Sequence, residues 1–342
     1  MKTGNLSTTA KISTLFALFL TFLMISPLFS TTAAVATSFQ NVSLSTRSSD
    51  SSSSQGDDKI KTVIGNNSKV VILGFSDNTK SQFVNAKPIL DKYGFKATFF
   101  IICNKVGQDE EKMTWEDIAV LQNEGHDIQS HSMNHLWMDS LSASELEYEI
   151  GESKKCLAEH GINSTIFETP HGSEWDNATV INMIAKYYEF ARQGYHRFMF
   201  LKCDGYTHYS DQKDCRTYFD NGTLTFANKY SIRGWSHNGL DKKFSYDDEE
   251  ILKEFIERVE APSKYNTNGN LSVITIIDYH RIDNERLDTS TDVDLFAEEM
   301  EYLYENGFTV LPFSSLKYNS TGHYFYLDVD VEKPAAEPPT SR

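Results

Sequence analysis

Positive charge is in short supply in this 342-residue chain: 32 lysines and arginines stand against 48 aspartates and glutamates, a formal charge of −16. That balance argues against nucleic acid and other polyanions as partners. It suits a neutral or cationic polymer, and equally a simple need for solubility. Cysteine is scarce too, with four residues permitting three pairings. Cys203 and Cys215 bracket a polar stretch that a disulfide would staple, whereas Cys103, ending an apolar strand, and Cys156, in a helix-like run, read as buried free thiols. No internal repeat is visible. The long apolar run from Ile12 to Phe29 lies within the first 36 residues.

Those 36 residues read as a leader: Lys2 and Lys11, the apolar run, then Ala34-Val35-Ala36 as a small-residue cleavage site. Export is therefore expected, either secreted after cleavage or held at the cell surface by an uncleaved anchor. Residues 37–67 are rich in serine, threonine and other polar residues and lack the apolar density of a core, which predicts a flexible tether. The tail is 319–342, and its end from Glu332 to Arg342 carries Pro334, Pro338 and Pro339 without a large apolar residue and is expected to be disordered. Between tether and tail, residues 68–318 suffice for one sizeable domain. Asn-x-Ser/Thr acceptors at Asn41, Asn66, Asn163, Asn177, Asn221, Asn270 and Asn319 suit an extracytoplasmic glycoprotein.

Within that domain strands and helices alternate. The pattern predicts strands at 69–75, 96–102 and 126–130, with helices around 81–93, 114–124 and 142–160 between and after them. Further strands are expected at 165–167, 198–201, 230–233 and 273–279. A final helix at 292–305 leads to a closing strand at 307–311. This βα rhythm belongs to a parallel α/β barrel or doubly wound sheet, in which loops at the strand ends carry function.

Ser130-His131-Ser132-Met133-Asn134-His135 places two imidazoles four residues apart, close enough to reach one metal ion from one side of a turn or helix. They follow a strand-like run. Asp77 occupies a comparable strand end after Val70 to Phe75. Two histidines and one carboxylate leave positions open on a divalent metal for water and substrate.

Taken in order, Phe75-Ser76-Asp77, Lys96-Ala97-Thr98-Phe99-Phe100, the segment from Gly125 to His135, Phe167-Glu168-Thr169-Pro170-His171-Gly172 and Asp278-Tyr279-His280 resemble the polysaccharide deacetylases of carbohydrate esterase family 4. The resemblance covers most of 69–312. It implies a distorted (β/α) barrel and removal of N- or O-acetyl groups from a polysaccharide or glycan with one divalent metal, usually zinc, with cobalt or nickel as alternatives. It makes Asp77, His131 and His135 the metal ligands and His280 the general acid that protonates the leaving amine, a role suited to an imidazole near neutrality. Backbone amides around Thr169 to Gly172 become candidate oxyanion donors.

Four positions depart from the family pattern. Ser76 replaces the aspartate that is usually the catalytic base, and Glu168 replaces the arginine that usually holds it. His171 stands where tyrosine is usual, and Asp278 where a leucine usually lines the acetyl pocket, leaving Trp235 as a candidate apolar wall. Glu168, or failing that Asp278, is the expected replacement base. Ser76 itself lacks the Gly-x-Ser-x-Gly setting of a nucleophile. The alternative class is a catalytically weakened protein that binds metal and recognises glycans at the cell surface.

Overall fold

The computed structural model describes residues 69–172, 177–195, 198–201, 229–237, 247–285, 287, 289–321 and 324–328. The leader, the tether, most of the tail, Cys203, Cys215, Asn41, Asn66 and Asn221 lie outside these residues.

Strands β1 (Val70–Phe75), β2 (Thr98–Ile101), β3 (Asp127–Ser130), β4 (Ile166–Glu168) and β5 (Phe190–Tyr195) pair in parallel in chain order. After the short β6 (Met199–Phe200), β7 (Ile232–His237) pairs with β5 and β8 (Val273–Tyr279) with β7. β8 then returns to β1, from Val71 opposite Thr275 to Phe75 opposite Tyr279, closing a parallel barrel of seven strands. The expected distorted (β/α) barrel is thus the fold. Two expected barrel strands have other places. Thr309–Leu311 does not close the barrel: it pairs with Val70 to Ile72, while β2 takes Gly74 and Phe75, because β8 already lines much of β1. β6 runs antiparallel along the first residues of β8.

Helix starts follow local chemistry. Thr114 and Asp117 form a reciprocal capping box before Trp115–Asn123, and Ser142 and Glu145 do the same before Ala143–Glu147. The expected helices at 81–93 and 142–160 are each interrupted by a wider π-helical turn, at Gln82–Ala86 and Tyr148–Glu152. Among the described residues no helix is long and apolar enough to cross a membrane.

The pleat decides which side chains fill the barrel. Val71, Leu73 and Phe75 pack outward with Leu90, Phe296 and Met300. Val70 and Ile72 share the inner cluster with Phe100, Ile166, Phe190, Ile232 and Ile276. Gly74 keeps this interior open, since a Cβ there would stand 3.0 Å from Asp278 Oδ1 and 3.2 Å from the Phe100 ring.

Cys103 and Cys156 are joined in a disulfide with Cα atoms 6.5 Å apart, which corrects their reading as free thiols. The parallel pairing of β2 with β3 brings the loop after β2 beside the helix Ser153–Glu159. A bridge across a sequence separation of 53 contributes about 4 kcal/mol on a chain-entropy basis. The double variant Cys103→Ser/Cys156→Ser should accordingly unfold at lower urea concentration, with an unfolding free energy lower by up to that amount.

His126 supplies an acid-sensitive point. Its Nδ1 accepts the Ala97 N–H at 3.3 Å, its Nε2 is buried without a hydrogen-bond partner, and burial pushes its pKa down to about 4. The unfolded chain therefore protonates first. Stability is complete above pH 6.5 and falls as pH drops from 6.5 towards 4, by about 3 kcal/mol in all. Urea titrations across that range should show a flatter decline in His126→Gln, and an unchanged slope would refute the assignment.

Candidate metal centre

The site assembles where the parallel strands end, from residues that each strand delivers to the barrel mouth. Ser76 and Asp77 follow β1, with Asp77 and Asn78 at φ +77° and +41°, left-handed values that aspartate and asparagine tolerate better than most residues. Asn78 fixes this turn: its Oδ1 accepts the Ile102 N–H and its carbonyl the Met113 N–H, each at 3.0 Å. Gln82 Nε2 donates to the carbonyls of Ser76 and His280, both at 2.5 Å, tying the end of β1 to the end of β8.

The loop after β3 is held as firmly. Cys103 N–H and Asn104 N–H donate to the carbonyls of Ser132 and Met133, at 3.1 and 3.0 Å. From the wide turn Tyr148–Glu152, the buried Glu149 carboxylate accepts from Met133 N, Asn134 N and Asn134 Nδ2. Ser132 and His135 have φ +70° and +65°, and Ser132 Oγ accepts the His135 N–H at 2.9 Å. The two histidines are therefore brought together by a tight turn.

Asp77, His131 and His135 converge, each offering a ligand atom, all within 4.8 Å of one another. Asp77 Oδ1 lies 3.5 Å from His131 Nε2 and 3.3 Å from His135 Nε2. Two donors bound at zinc distances to a tetrahedral centre lie about 3.3–3.4 Å apart, so this nitrogen, nitrogen and oxygen set fits a divalent ion. His131 Nδ1 lies 3.0 Å from the Glu168 carbonyl; donating there turns Nε2 towards Asp77, the usual arrangement of a metal-ligating imidazole. Burial favours neutral Asp77, but a hydrogen bond from His131 and the nearby histidines outweigh it and hold the carboxyl well below the usual carboxylate range. Burial and the neighbouring His131 push His135 down to about 3, keeping that imidazole neutral.

Beneath this cluster lies a buried ionic layer. Ser76 Oγ is 2.6 Å from Glu168 Oε2 and 3.0 Å from both oxygens of Asp278. Arg192 Nη1 is 3.3 Å from Glu168 Oε1, and its Nη2 is 3.3 Å from Asp278 Oδ2. Glu168 Oε2 also approaches His131 Nδ1 at 3.3 Å. Burial, then the Asp278 charge, push the Glu168 carboxyl up to about 7 against the opposing pull of His131 and Arg192. Arg192 comes from β5, a strand the sequence pattern does not announce. The cue available in the sequence is a lone arginine inside the otherwise uncharged run Phe190 to Tyr195.

A cavity of about 310 Å³ opens above both layers, lined by Ser76, Asp77, His131, His135, Glu168 and Asp278 and, further round, by His171, Arg192 and His280. His171, at φ +63°, packs its ring against His135 with centroids 4.4 Å apart. One expectation needs correction. Trp235 is absent from the lining: Gly234 and Ser236 take the inward positions of β7, so the indole points outward against Phe255 and Arg258. Another narrows: of the candidate oxyanion amides, Thr169 N–H bonds the Arg192 carbonyl and Gly172 N–H the Thr169 carbonyl, and Pro170 has no N–H, which points to the N–H of His171, a residue of the cavity lining.

A sequence profile described as polysaccharide deacetylase matches residues 64–190. A putative polysaccharide deacetylase of Bacillus subtilis is 33% identical over 87 residues, 25% of this chain and 31% of that protein. A peptidoglycan-N-acetylglucosamine deacetylase of Bacillus cereus is 28% identical over 110 residues, 32% of this chain and 49% of that protein. The chain thus spans half or less of these curated relatives. A family 4 carbohydrate esterase from Streptomyces lividans, solved in complex with acetate, aligns with 76% of this chain and 98% of its own at 15% identity and a TM-score of 0.45.

Removing any one of Asp77, His131 or His135 by substitution with alanine should weaken Zn²⁺ binding, measured by calorimetry, by more than about 100-fold, the upper cost of losing a mere outer partner of a ligand. Trp235→Phe should leave that affinity unchanged.

Proposed function

We propose that the protein is an exported, divalent-metal-dependent hydrolase that removes acetyl groups from a polysaccharide or glycan. The convergence of Asp77, His131 and His135 at the floor of an open cavity carries this reading. The match to the polysaccharide deacetylase profile and the names of the relatives support the substrate class. The Cys103–Cys156 bridge supports an oxidising, extracytoplasmic setting.

The bound ion, with zinc the first choice, would supply Lewis acidity to the acyl carbonyl and acidity to a water. Glu168 is the base in this reading. Its proton path runs through Ser76, whose Oγ sits 2.6 Å from Glu168 Oε2 and passes one proton to the carboxylate as it accepts another from the attacking water. Arg192 steadies the carboxylate from the opposite side. His280, on the cavity wall at the end of β8, protonates the leaving nitrogen as the C–N bond breaks.

The replacement of the usual base by Ser76 favours a second reading, a metal-binding glycan-recognition protein without turnover. Acetate release from N-acetylglucosamine oligomers separates the two. For the hydrolase, release should require added Zn²⁺ or Co²⁺ and vanish in His131→Ala. Glu168→Gln should lower kcat by about 10²- to 10⁴-fold with Zn²⁺ affinity retained. Full activity in Glu168→Gln removes Glu168 as the base, and oligomer binding without release selects the second reading.

A further inference from the structure

Two large aromatic residues stand exposed at the mouth of the same cavity: Trp137, 53% exposed, and Tyr195, 55% exposed. Single exposed aromatics are ordinary on protein surfaces. These two are anchored on successive residues of one turn. Trp137 stacks on the His171 ring with centroids 3.9 Å apart and planes 7° from parallel, which leaves its opposite face outward. Tyr195 lies against Gly172, so closely that a Cβ on Gly172 would fall 3.2 Å from its ring, and the Arg192 guanidinium sits 5.9 Å from the ring centroid. Gly172, at φ +63°, is in a conformation that glycine adopts most readily.

We propose that Trp137 and Tyr195 form a preset aromatic rim that stacks on the pyranose rings of a neutral glycan and so fixes which sugar unit lies over the metal cluster. The chemistry of the cavity selects this occupant. Its lining contains no aliphatic side chain larger than the threonine methyls of Thr169 and Thr289, so a purely apolar ligand finds no seat below the rim. A pyranose instead offers an apolar C–H face, which suits the negative face of an aromatic ring, and edge hydroxyls for the polar groups beneath. Both rings are already braced, Trp137 by His171 and Tyr195 by Gly172 and Arg192. Little side-chain freedom is therefore lost when a sugar docks.

This inference rests on the glycan-directed reading of the cavity but not on turnover, so its test uses metal-free protein. Hexamers of N-acetylglucosamine, xylose and glucose, all β-1,4-linked, would be titrated calorimetrically into the full chain after chelation. At least one should bind. Trp137→Ala and Tyr195→Ala should each weaken that binding about tenfold, with Trp137→Phe retaining most of it and Zn²⁺ affinity within threefold of the parent. Leu136→Ala, a neighbouring exposed apolar residue outside the lining, should bind as the parent does. Failure of all three hexamers to bind the parent chain overturns the inference, as does binding indifferent to both aromatic substitutions. Binding that depends on the rim without any acetate release from metal-loaded protein upholds it and defeats only the hydrolase reading.

Discussion

Arg192, held between Glu168 and Asp278 inside the barrel, is the interaction on which the mouth of this protein depends. Both carboxylates are 1% exposed, and a carboxylate that deep is tolerated only with a countercharge and hydrogen bonds. Arg192 gives each of them a guanidinium nitrogen at 3.3 Å. The metal cluster inherits this order, because the Glu168 backbone carbonyl meets His131 Nδ1 and thereby directs Nε2 towards Asp77. Because that contact is made by the Glu168 main chain, it does not depend on the charge of the Glu168 side chain.

The layer exists because parallel strands deliver alternate residues to one interior at matched heights. Ile72, Phe100, Ile166, Phe190, Ile232 and Ile276 fill the barrel below. One inward step further along four of these strands come Glu168, Arg192, Gly234 and Asp278, with Ser76 two inward steps above Ile72 on β1, its intervening position being Gly74. That glycine is what lets Asp278 into the layer. The same parity turns Trp235 outward, so its core role follows from a shift of a single residue.

Much of this was legible in the sequence, and the limits have physical causes. Of the first three βα units, the first two announce their strands through apolar runs and the last two their helices through capping boxes, and the His-x-x-x-His turn with Asp77 needed only two strand ends to be placed correctly. β5 stays hidden because Arg192, Gln193 and Gly194 interrupt its apolar run: it carries polar groups into the barrel where most strands carry aliphatics. The Cys103–Cys156 pairing is hidden for another reason. It depends on which loop lies beside which helix, a property of strand order that spacing does not encode.

The four departures from the family pattern look like losses along the chain and like a redistribution around the barrel. The resemblance leads one to expect one carboxylate on β1 and one guanidinium on β4. Here the guanidinium comes from β5 and the carboxylates from β4 and β8, with Ser76 joining them on the β1 side. Residues at one height on neighbouring strands touch, so a charge can move between strands while the contact survives. The exchange is not neutral, however. Two carboxylates now share one guanidinium, and a site 1% exposed cannot carry the second negative charge freely. The surplus surfaces as the rise of Glu168 to about 7. Burial raises that proton affinity first and the Asp278 charge, placed where the family usually has leucine, adds to it, which links the altered acyl pocket to the altered base through one buried charge.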